Sequence, residues 1–426
     1  MISKYAAGES YLKVSLPYSN NSIQLIPKYQ SKEYLTGGPD EFNEIFRKTF
    51  SDTLEISRAN LKMENNYQNN SPPLYYWVTG FVFKLIGIKS SSGITKLYFL
   101  RFFSGLIAII CFIAFVVCIR NLFDTKTAIG SAVIFLCFPQ PVWFFLNNDI
   151  LSPLLVSVSI FLAWKFKKKQ LIFSGILMGL AIWNKLSNLV FIPIPIFMIL
   201  IQNMDIRNKL LLTTRYGFVT IITAIPLFAS NLLYTNTFTA NAQKMEVLLW
   251  EQNTIEGVIT HPVWSIWGVK VLSIFSGLSF LRGEITWNLH PITTSFQDNI
   301  LLGLVLGVIL NALLSFSKQK NVSVIILSSF LLGMFFLIYL SVAFDYTHAF
   351  YPSKTLPFFF SGRILVGIFP MYILGMYLLA DSIALRFNIH TYWLIIPLAT
   401  LLLTIELTYP AGIIQSPFNL FSKISF

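Results

Sequence analysis

Long apolar runs follow one another through most of this 426-residue sequence, and they constrain the fold more than any other feature. A helix that crosses a bilayer needs about 20 mostly apolar residues. Such runs lie near 99–119, 127–145, 150–166, 169–184, 187–202, 216–235, 299–316, 322–343, 363–380 and 392–409. They predict an all-α, polytopic integral membrane protein with about ten transmembrane helices. The runs at 150–166, 169–184 and 187–202 are short and closely spaced, so one of these three assignments could be wrong.

The composition excludes a soluble domain. Only 12% of the residues are charged, whereas a soluble domain has about 25%. The 40 phenylalanines suit a lipid-facing surface. The net charge of +12 does not indicate a nucleic-acid partner, because the basic residues lie in short loops between apolar runs and form no stripe interleaved with aromatic residues.

The basic residues also predict the orientation. When successive loops are assigned alternately to two sides, one side receives Arg120, Lys126, Lys165, Lys167, Lys168, Lys169, Arg207, Lys209, Arg215, Lys318, Lys320 and Arg386. The short loops of the other side receive Lys185, Lys354 and little else. The lysine-rich side is cytoplasmic by the positive-inside rule. We therefore expect a multi-pass protein of the plasma or inner membrane, with residues 1–95, 236–298, 344–362 and 410–426 on the outer face.

This topology divides the chain into two parts. Residues 1–95 form an extracytoplasmic N-terminal segment, and residues 96–426 form a membrane domain with the outer loop 236–298. Segment 40–66 has the pattern of an interfacial amphipathic helix, and a second aromatic-anchored juxtamembrane helix is predicted from Leu74 to about residue 86. Residues 1–95 contain no apolar run that could carry them across the membrane, so we expect a first transmembrane helix to be missing.

Carboxylates at a membrane face cost free energy unless they have a partner or a task. Asp40 and Glu41 follow Gly37-Gly38-Pro39, and Asp149 stands at the outer start of the run at 150–166. The two acidic positions could share one site, with one carboxylate as general base towards an acceptor and the other orienting it or holding a cation. Alternatively, Asp149 is a helix N-cap and Asp40 is a turn or N-cap residue.

Two outer cations could bind a phosphate. Arg363 follows Ser361-Gly362 at the outer start of a late run, and Lys185 lies between two short runs. The alternatives are a snorkelling interfacial arginine and an ordinary loop lysine. His261 and His348 have no partners at metal-ligand spacing, which argues against zinc. Walker and dinucleotide-binding motifs and a Gly-x-Ser-x-Gly elbow do not occur in the sequence.

Several stretches together resemble one superfamily. Pro39-Asp40-Glu41-Phe42 and Pro72-Pro73-Leu74-Tyr75-Tyr76-Trp77 resemble the first outer loop of the type C membrane glycosyltransferases, which include protein O-mannosyltransferases and the lipid A aminoarabinose transferase. Phe138-Pro139-Gln140 and Asn147-Asn148-Asp149-Ile150-Leu151 resemble their second outer loop. Gly179-Leu180-Ala181-Ile182-Trp183-Asn184-Lys185-Leu186 is similar to a helix end of the group, and Ser361-Gly362-Arg363 to the start of a late helix in its bacterial branches.

The resemblance implies transfer of a hexosyl or pentosyl group from a polyprenyl-phosphate sugar to a lipid, glycan or protein acceptor at the outer membrane face. It implies that Asp40 is the general base, Glu41 its motif neighbour and Asp149 the second carboxylate. It also implies that Lys185 and Arg363 bind the donor phosphate, and that Tyr75 and Tyr76 shape the substrate groove. A divalent cation, Mg²⁺ or Mn²⁺, held by Asp40 and Asp149 is compatible with this chemistry, which does not require one.

The sequence departs from the group at two points. A polar stretch precedes the Asp-Glu motif where the group has a helix, and Ser71 stands before Pro-Pro where the group often has His, Lys or Gln. Three alternatives therefore stay open: a transporter or flippase of lipid-linked saccharides, a glycan polymerase or ligase, and an inactive truncated homologue. A transporter should carry ionisable residues near the bilayer midplane, and these spans are almost free of them.

Overall fold

The computed structural model describes residues 72–88, 93–138, 148–239, 245, 251–272, 296–317, 319–345, 358 and 362–415. These ranges are mostly helical. The α-helices are α1 (Leu74–Ile86), α2 (Gly93–Leu122), α3 (Thr125–Cys137), α4 (Ser152–Ala163), α5 (Lys168–Asn184), α6 (Pro193–Leu200), α7 (Ile206–Thr235), α8 (Ile255–Ile259), α9 (Phe296–Leu314), α10 (Lys320–Ala343), α11 (Phe369–Arg386) and α12 (Tyr392–Gln415). Short 3₁₀ segments cover Asn148–Leu151, Leu186–Phe191, Pro262–Trp264 and Gly362–Ile368, and the two-residue strands β1 (Glu251–Gln252) and β2 (Phe344–Asp345) pair antiparallel.

Local sequence explains where several helices begin. The carboxylate of Asp124 accepts a hydrogen bond from the backbone N–H of Thr127 at the start of α3, and Asp205 does the same for Asn208 at the start of α7. These N-caps satisfy backbone donors that the helix itself leaves unpaired. Proline occupies the first turn of α4, α6 and α11, where its missing N–H costs nothing.

Each predicted apolar run overlaps an α-helix of the structure. Within the described ranges, the helices that are long and apolar enough to cross a membrane lie at Tyr98–Leu122, Ile206–Leu233, Lys320–Ala343 and Leu365–Arg386. The membrane class is therefore confirmed, whereas the number of ten spans stays a prediction. The run at 187–202 begins as a 3₁₀ segment and becomes α6 only at Pro193, because proline can start a helix but cannot continue one.

Polar contacts identify one end of the helix bundle. Lys126, at the start of α3, donates hydrogen bonds to Asp381 of α11 (3.2 Å) and to Thr391 just before α12 (2.8 Å). Gln202 after α6 donates to Asn321 at the start of α10 (2.6 Å). This end also carries the loop between α4 and α5 with Lys165 and Lys167–Lys169, so it is the lysine-rich end.

Glycines and serines let α5 pack closely against its neighbours. A Cβ at Gly179 would stand 2.4 Å from Cβ of Thr223, and a Cβ at Gly175 would stand 3.0 Å from the carbonyl oxygen of Tyr216, so both glycines face α7. On another face of α5, the Ser174 hydroxyl donates to the carbonyl of Ser159 on α4 at 2.8 Å. Small residues and inter-helix hydrogen bonds are the usual means of association between helices in a membrane.

The segment 251–272 lies at the other end of α10, away from the lysine-rich end. β1 pairs with β2, which follows α10 directly, and the backbone N–H of Asn253 donates to the carbonyl of Ala343 at 3.1 Å. Val263, Val271 and Leu272 of this segment are buried with the main hydrophobic core. The strand pair therefore holds the segment against the end of a candidate membrane span.

Candidate functional site

Asp149 and Lys185 form an ion pair at the lysine-poor end of the bundle. Asp149 lies in the 3₁₀ segment just before α4, and Lys185 is the C-cap residue of α5. Because α4 and α5 are antiparallel neighbours joined by a short loop, the start of the first and the end of the second meet. The Lys185 ammonium donates to the Asp149 carboxylate, and the two side chains are 16% and 1% exposed.

Two asparagines clamp the same junction. The Asn148 side-chain amide donates to the backbone carbonyl of Asn184 (2.6 Å), and the Asn184 amide donates back to the carbonyl of Asn148. Each asparagine immediately precedes one member of the ion pair. The reciprocal hydrogen bonds therefore fix the backbone positions from which Asp149 and Lys185 extend.

The network continues inward through a serine. The side-chain amides of Asn184 and Asn188 both donate to the Ser152 hydroxyl, each at 3.0 Å, and Asn188 also donates to the carbonyl of Ala181 at 2.9 Å. All three polar side chains are fully buried. Hydrogen bonds in a buried network are stronger than in water, and they make the arrangement of the helix ends specific.

Two further elements converge on this junction. α1 and the segment Gly362–Ile368 both contact the 3₁₀ segment that carries Asp149. The rings of Trp77 on α1 and Trp183 on α5 lie 5.3 Å apart. Ser157 donates to the carbonyl of Gly367 at 3.1 Å, and a Cβ at Gly367 would stand 3.1 Å from Oδ1 of Asn188. The segment Gly362–Ile368, which includes Arg363, thus packs directly on the hydrogen-bond network of Ser152, Asn184 and Asn188.

The structure brings together some of the predicted site residues. Asp149 and Lys185 are in contact, so Lys185 is not an ordinary loop lysine. The N-cap residue of α4 itself is Leu151, and Asp149 lies in the first turn of the 3₁₀ segment that leads into this helix. Asp40, Glu41 and the predicted helix at 40–66 lie outside the described residues. The backbone of Arg363 belongs to the converging 3₁₀ segment, and its side chain lies outside the described part.

The predicted groove tyrosines are buried in α1. Tyr75 is fully buried, and its hydroxyl lies 3.5 Å from the Ser104 hydroxyl of α2, while Tyr76 is 6% exposed. Their rings meet edge to face at 5.4 Å. These contacts orient α1 against α2. A role of the two tyrosines in binding substrate stays a prediction.

The described residues do not fit a divalent cation at Asp149. Among them, no three His, Cys, Asp or Glu side chains converge where they could hold a metal ion. The Lys185 ammonium already contacts the Asp149 carboxylate, and a second cation at the same carboxylate would be repelled. Asp40, the predicted second ligand, lies outside the described ranges.

Sequence reasoning did not single out Ser152, Asn184 and Asn188 as site residues. The signal that could have found them is their polarity within otherwise apolar runs. Polar side chains in membrane helices usually face the bundle interior, where they bond to one another. Their common location follows from the antiparallel pairing of α4 and α5.

Removing the clamp should disorder the ion pair. We expect Asn184→Ala to lower the free energy of unfolding by about 1–3 kcal/mol, because the carbonyl of Asn148 and the Ser152 hydroxyl each lose a buried donor. The measurement is thermal unfolding followed by tryptophan fluorescence in detergent. The control is Asn208→Ala, since Asn208 is exposed and bonds only locally to Asp205. Equal unfolding temperatures for the two variants would contradict the clamp.

The fold and this junction define a polytopic helical membrane protein with a buried charged site at one bundle end. Residues 70–234 match the model of the dolichyl-phosphate-mannose–protein mannosyltransferase family. This match confirms the resemblance to the type C membrane glycosyltransferases, over the part of the chain that holds α1 to α7 and the whole Asp149–Lys185 junction.

A solved structure is also similar: the crystal structure of the Archaeoglobus fulgidus oligosaccharyltransferase in complex with Zn and sulfate. The sequence identity is 13% and the TM-score is 0.43 over 83% of this chain. The chain spans 44% of the length of that protein. No match was found among the curated proteins. The family match over residues 70–234 is what supports the class of type C membrane glycosyltransferases.

Proposed function

We propose that this protein transfers a sugar from a polyprenyl-phosphate donor to an acceptor at the outer face of the plasma or inner membrane. The observation that carries the proposal is the buried Asp149–Lys185 pair at the lysine-poor end, where α1, α4, α5 and the Arg363 segment converge. Taking both charges out of water costs several kcal/mol per ion before they attract each other. A role of the Lys185 ammonium in the reaction explains why a buried ion pair lies at this end of the bundle.

The donor suits a site of this kind. A polyprenyl tail lies in the bilayer, and its phosphate is held near the membrane surface, where the ends of helices lie. The Lys185 ammonium is already desolvated and held by Asp149, so little reorganisation is needed when it meets a phosphate. An ammonium has three donor protons, so Lys185 can contact Asp149 and a phosphate oxygen together.

The transfer is a single displacement. The bond between the anomeric carbon and the phosphate oxygen breaks, and its electron pair leaves with the polyprenyl phosphate. The acceptor oxygen forms the new bond to the anomeric carbon, and its proton passes to Asp40 as general base. Lys185 and Arg363 stabilise the charge that develops on the phosphate, and the configuration at the anomeric carbon inverts. The phosphate already activates the donor, so ATP is not needed.

The test is sugar transfer in isolated membranes. Radiolabelled polyprenyl-phosphate sugars and total membrane acceptors are incubated with the wild type, Asp40→Asn and Asp149→Asn at equal protein level. We expect label to move with the wild type and to fall by about 10²–10⁴-fold with Asp40→Asn, the usual contribution of a general base. Equal transfer in all samples would support the enzymatic activity but would refute the proposed roles of Asp40 and Asp149.

The second candidate function is transport of lipid-linked saccharides. Movement of a labelled lipid-linked saccharide across vesicle membranes, with no sugar transfer by the wild type, would favour it. The positions of the described ion pairs argue against it. Asp149–Lys185 and Lys126–Asp381 lie at opposite ends of the bundle, whereas a transporter binds its substrate near the midplane.

A further inference from the structure

The segment 251–272 exposes large apolar side chains although it is not a membrane span. The exposed fractions are 82% for Ile255, 69% for Ile259, 56% for Trp264, 92% for Ile266 and 45% for Trp267. Large exposed apolar side chains gathered in one short segment indicate an interaction site. The described charged residues of the segment, Glu251, Glu256 and Lys270, are few.

The segment is held in a defined shape by its own hydrogen bonds. Thr254 caps α8 by accepting from the backbone N–H of Gly257 (3.0 Å), and the Ser265 hydroxyl donates to the carbonyl of Pro262 (2.7 Å). Residues 266–272 are helical, and a Cβ at Gly268 would lie 2.4 Å from the Pro262 carbonyl oxygen, so only glycine fits this position. The apolar side chains are therefore presented by a fixed backbone.

Trp264 has the hydrogen bonding that an apolar environment requires. The indole N–H of Trp264 donates to the carbonyl of Val258 at 2.7 Å, within the segment itself. The exposed ring therefore carries no donor that would be left unpaired away from water. Ile255 and Ile259 are four residues apart in α8 and share one face of that helix.

The position of the segment indicates what its exposed apolar side chains interact with. β1 pairs with β2 directly after Ala343, the last residue of the candidate span Lys320–Ala343, so the segment lies at the level where that span leaves the hydrocarbon. Tryptophan and isoleucine beside few charges are typical of an element that lies in the membrane interface.

We propose that residues 255–269 form an interfacial segment whose isoleucine and tryptophan side chains insert into the leaflet next to the end of α10. This proposal is independent of the proposed sugar transfer. Its partner is the lipid of that leaflet, at the boundary between headgroups and acyl chains. The segment anchors the loop between α7 and α9 to the bilayer instead of leaving it in water.

The experiment measures the environment of spin labels in nanodiscs of phosphatidylcholine and phosphatidylglycerol. Cys111, Cys118 and Cys137 are replaced by alanine, and single cysteines are placed at Ile259 and Ile266. The matched controls are Glu256→Cys and Thr260→Cys, which are exposed polar positions of the same segment. Collision with lipid-soluble O₂ is compared with collision with a water-soluble nickel chelate. The variants used elute like the wild type in size-exclusion chromatography.

We expect labels at the two isoleucine positions to collide more with O₂ than with the nickel chelate, and labels at the two controls to show the reverse. The proposal is overturned if the nickel chelate dominates at Ile259 and Ile266, which would place them in water. It is also overturned if both reagents are excluded there, because another protein surface would then cover the segment.

Discussion

Replacing Lys185 with methionine is expected to abolish sugar transfer and to destabilise the fold. The variant leaves the Asp149 carboxylate, 1% exposed, without the ammonium that pairs with it. Breaking a buried ion pair by removing one partner costs about 3–5 kcal/mol. Loss of one electrostatic contact to the leaving phosphate lowers kcat by about 10²–10³-fold. Thermal unfolding and the radiolabel transfer assay measure the two effects.

A double variant separates stability from chemistry. Asp149→Asn combined with Lys185→Met removes both charges of the buried pair, so we expect it to regain most of the stability that Lys185→Met loses. Transfer should stay as low as in the single variant, because the phosphate still lacks its cation. Recovery of transfer in the double variant would refute the role of Lys185 in binding phosphate.

The matched control is the pair at the other bundle end. Lys126 and Asp381 are 43% and 26% exposed and 3.2 Å apart. A pair exposed to this degree contributes about 0–1 kcal/mol. Lys126→Met combined with Asp381→Asn should therefore change the unfolding temperature little and leave the rate of sugar transfer unchanged. A loss of transfer here would mean that the assay reports general damage.

Gly179→Val is expected to be the most damaging substitution in the α5–α7 interface. Its Cβ would stand 2.4 Å from Cβ of Thr223, closer than such atoms can approach, and 3.0 Å from the carbonyl oxygen of Thr220, which is a tight contact. The helices must then separate, at a cost of about 3 kcal/mol for overpacking. Since Asn184 and Lys185 end the same helix, transfer should fall as well. Thermal unfolding and the transfer assay are the measurements.

Gly217→Ala on the partner helix α7 is the control for this substitution. No atom lies within 4 Å of a Cβ at Gly217. Alanine also favours a helix by up to about 1 kcal/mol relative to glycine. We expect unchanged or slightly higher stability. Equal unfolding temperatures for the wild type and Gly179→Val would mean that α5 does not pack against α7 through its glycines.

The apolar runs were sufficient to predict the helices and the end of the bundle at which Asp149 and Lys185 lie. The sequence pattern does not predict the contact between them, because the two residues belong to different loops. The antiparallel pairing of 150–166 with 169–184 would have placed their outer ends side by side. The apolar runs at 187–202 and 363–380 also include the 3₁₀ segments before α6 and α11, because an apolar pattern alone does not distinguish a 3₁₀ segment from an α-helix.

The reciprocal hydrogen bonds of Asn148 and Asn184 and the close contacts of the glycines can be identified only from the structure. Asn148 and Asn184 bond to each other's backbone, and such a pairing depends on the exact register of two helix ends. Gly175 and Gly179 have the spacing of a close helix contact, but the sequence does not reveal which helix they face. Asp40 and Glu41 were predicted from the resemblance, and their place relative to Asp149 stays a prediction.

The shortness of two helices at the site has a consequence for the surrounding lipid. With the 3₁₀ segments that precede them, α4 and α6 belong to the apolar helices Asn148–Ala163 and Leu186–Leu200, which correspond to about 24 Å and 22 Å at 1.5 Å per residue. The hydrocarbon core of a bilayer is about 30 Å thick. Helices this short either draw the headgroups inward or end in a recess below the membrane surface. The depth at which Lys185 lies in the membrane therefore depends on the thickness of the bilayer that surrounds the protein.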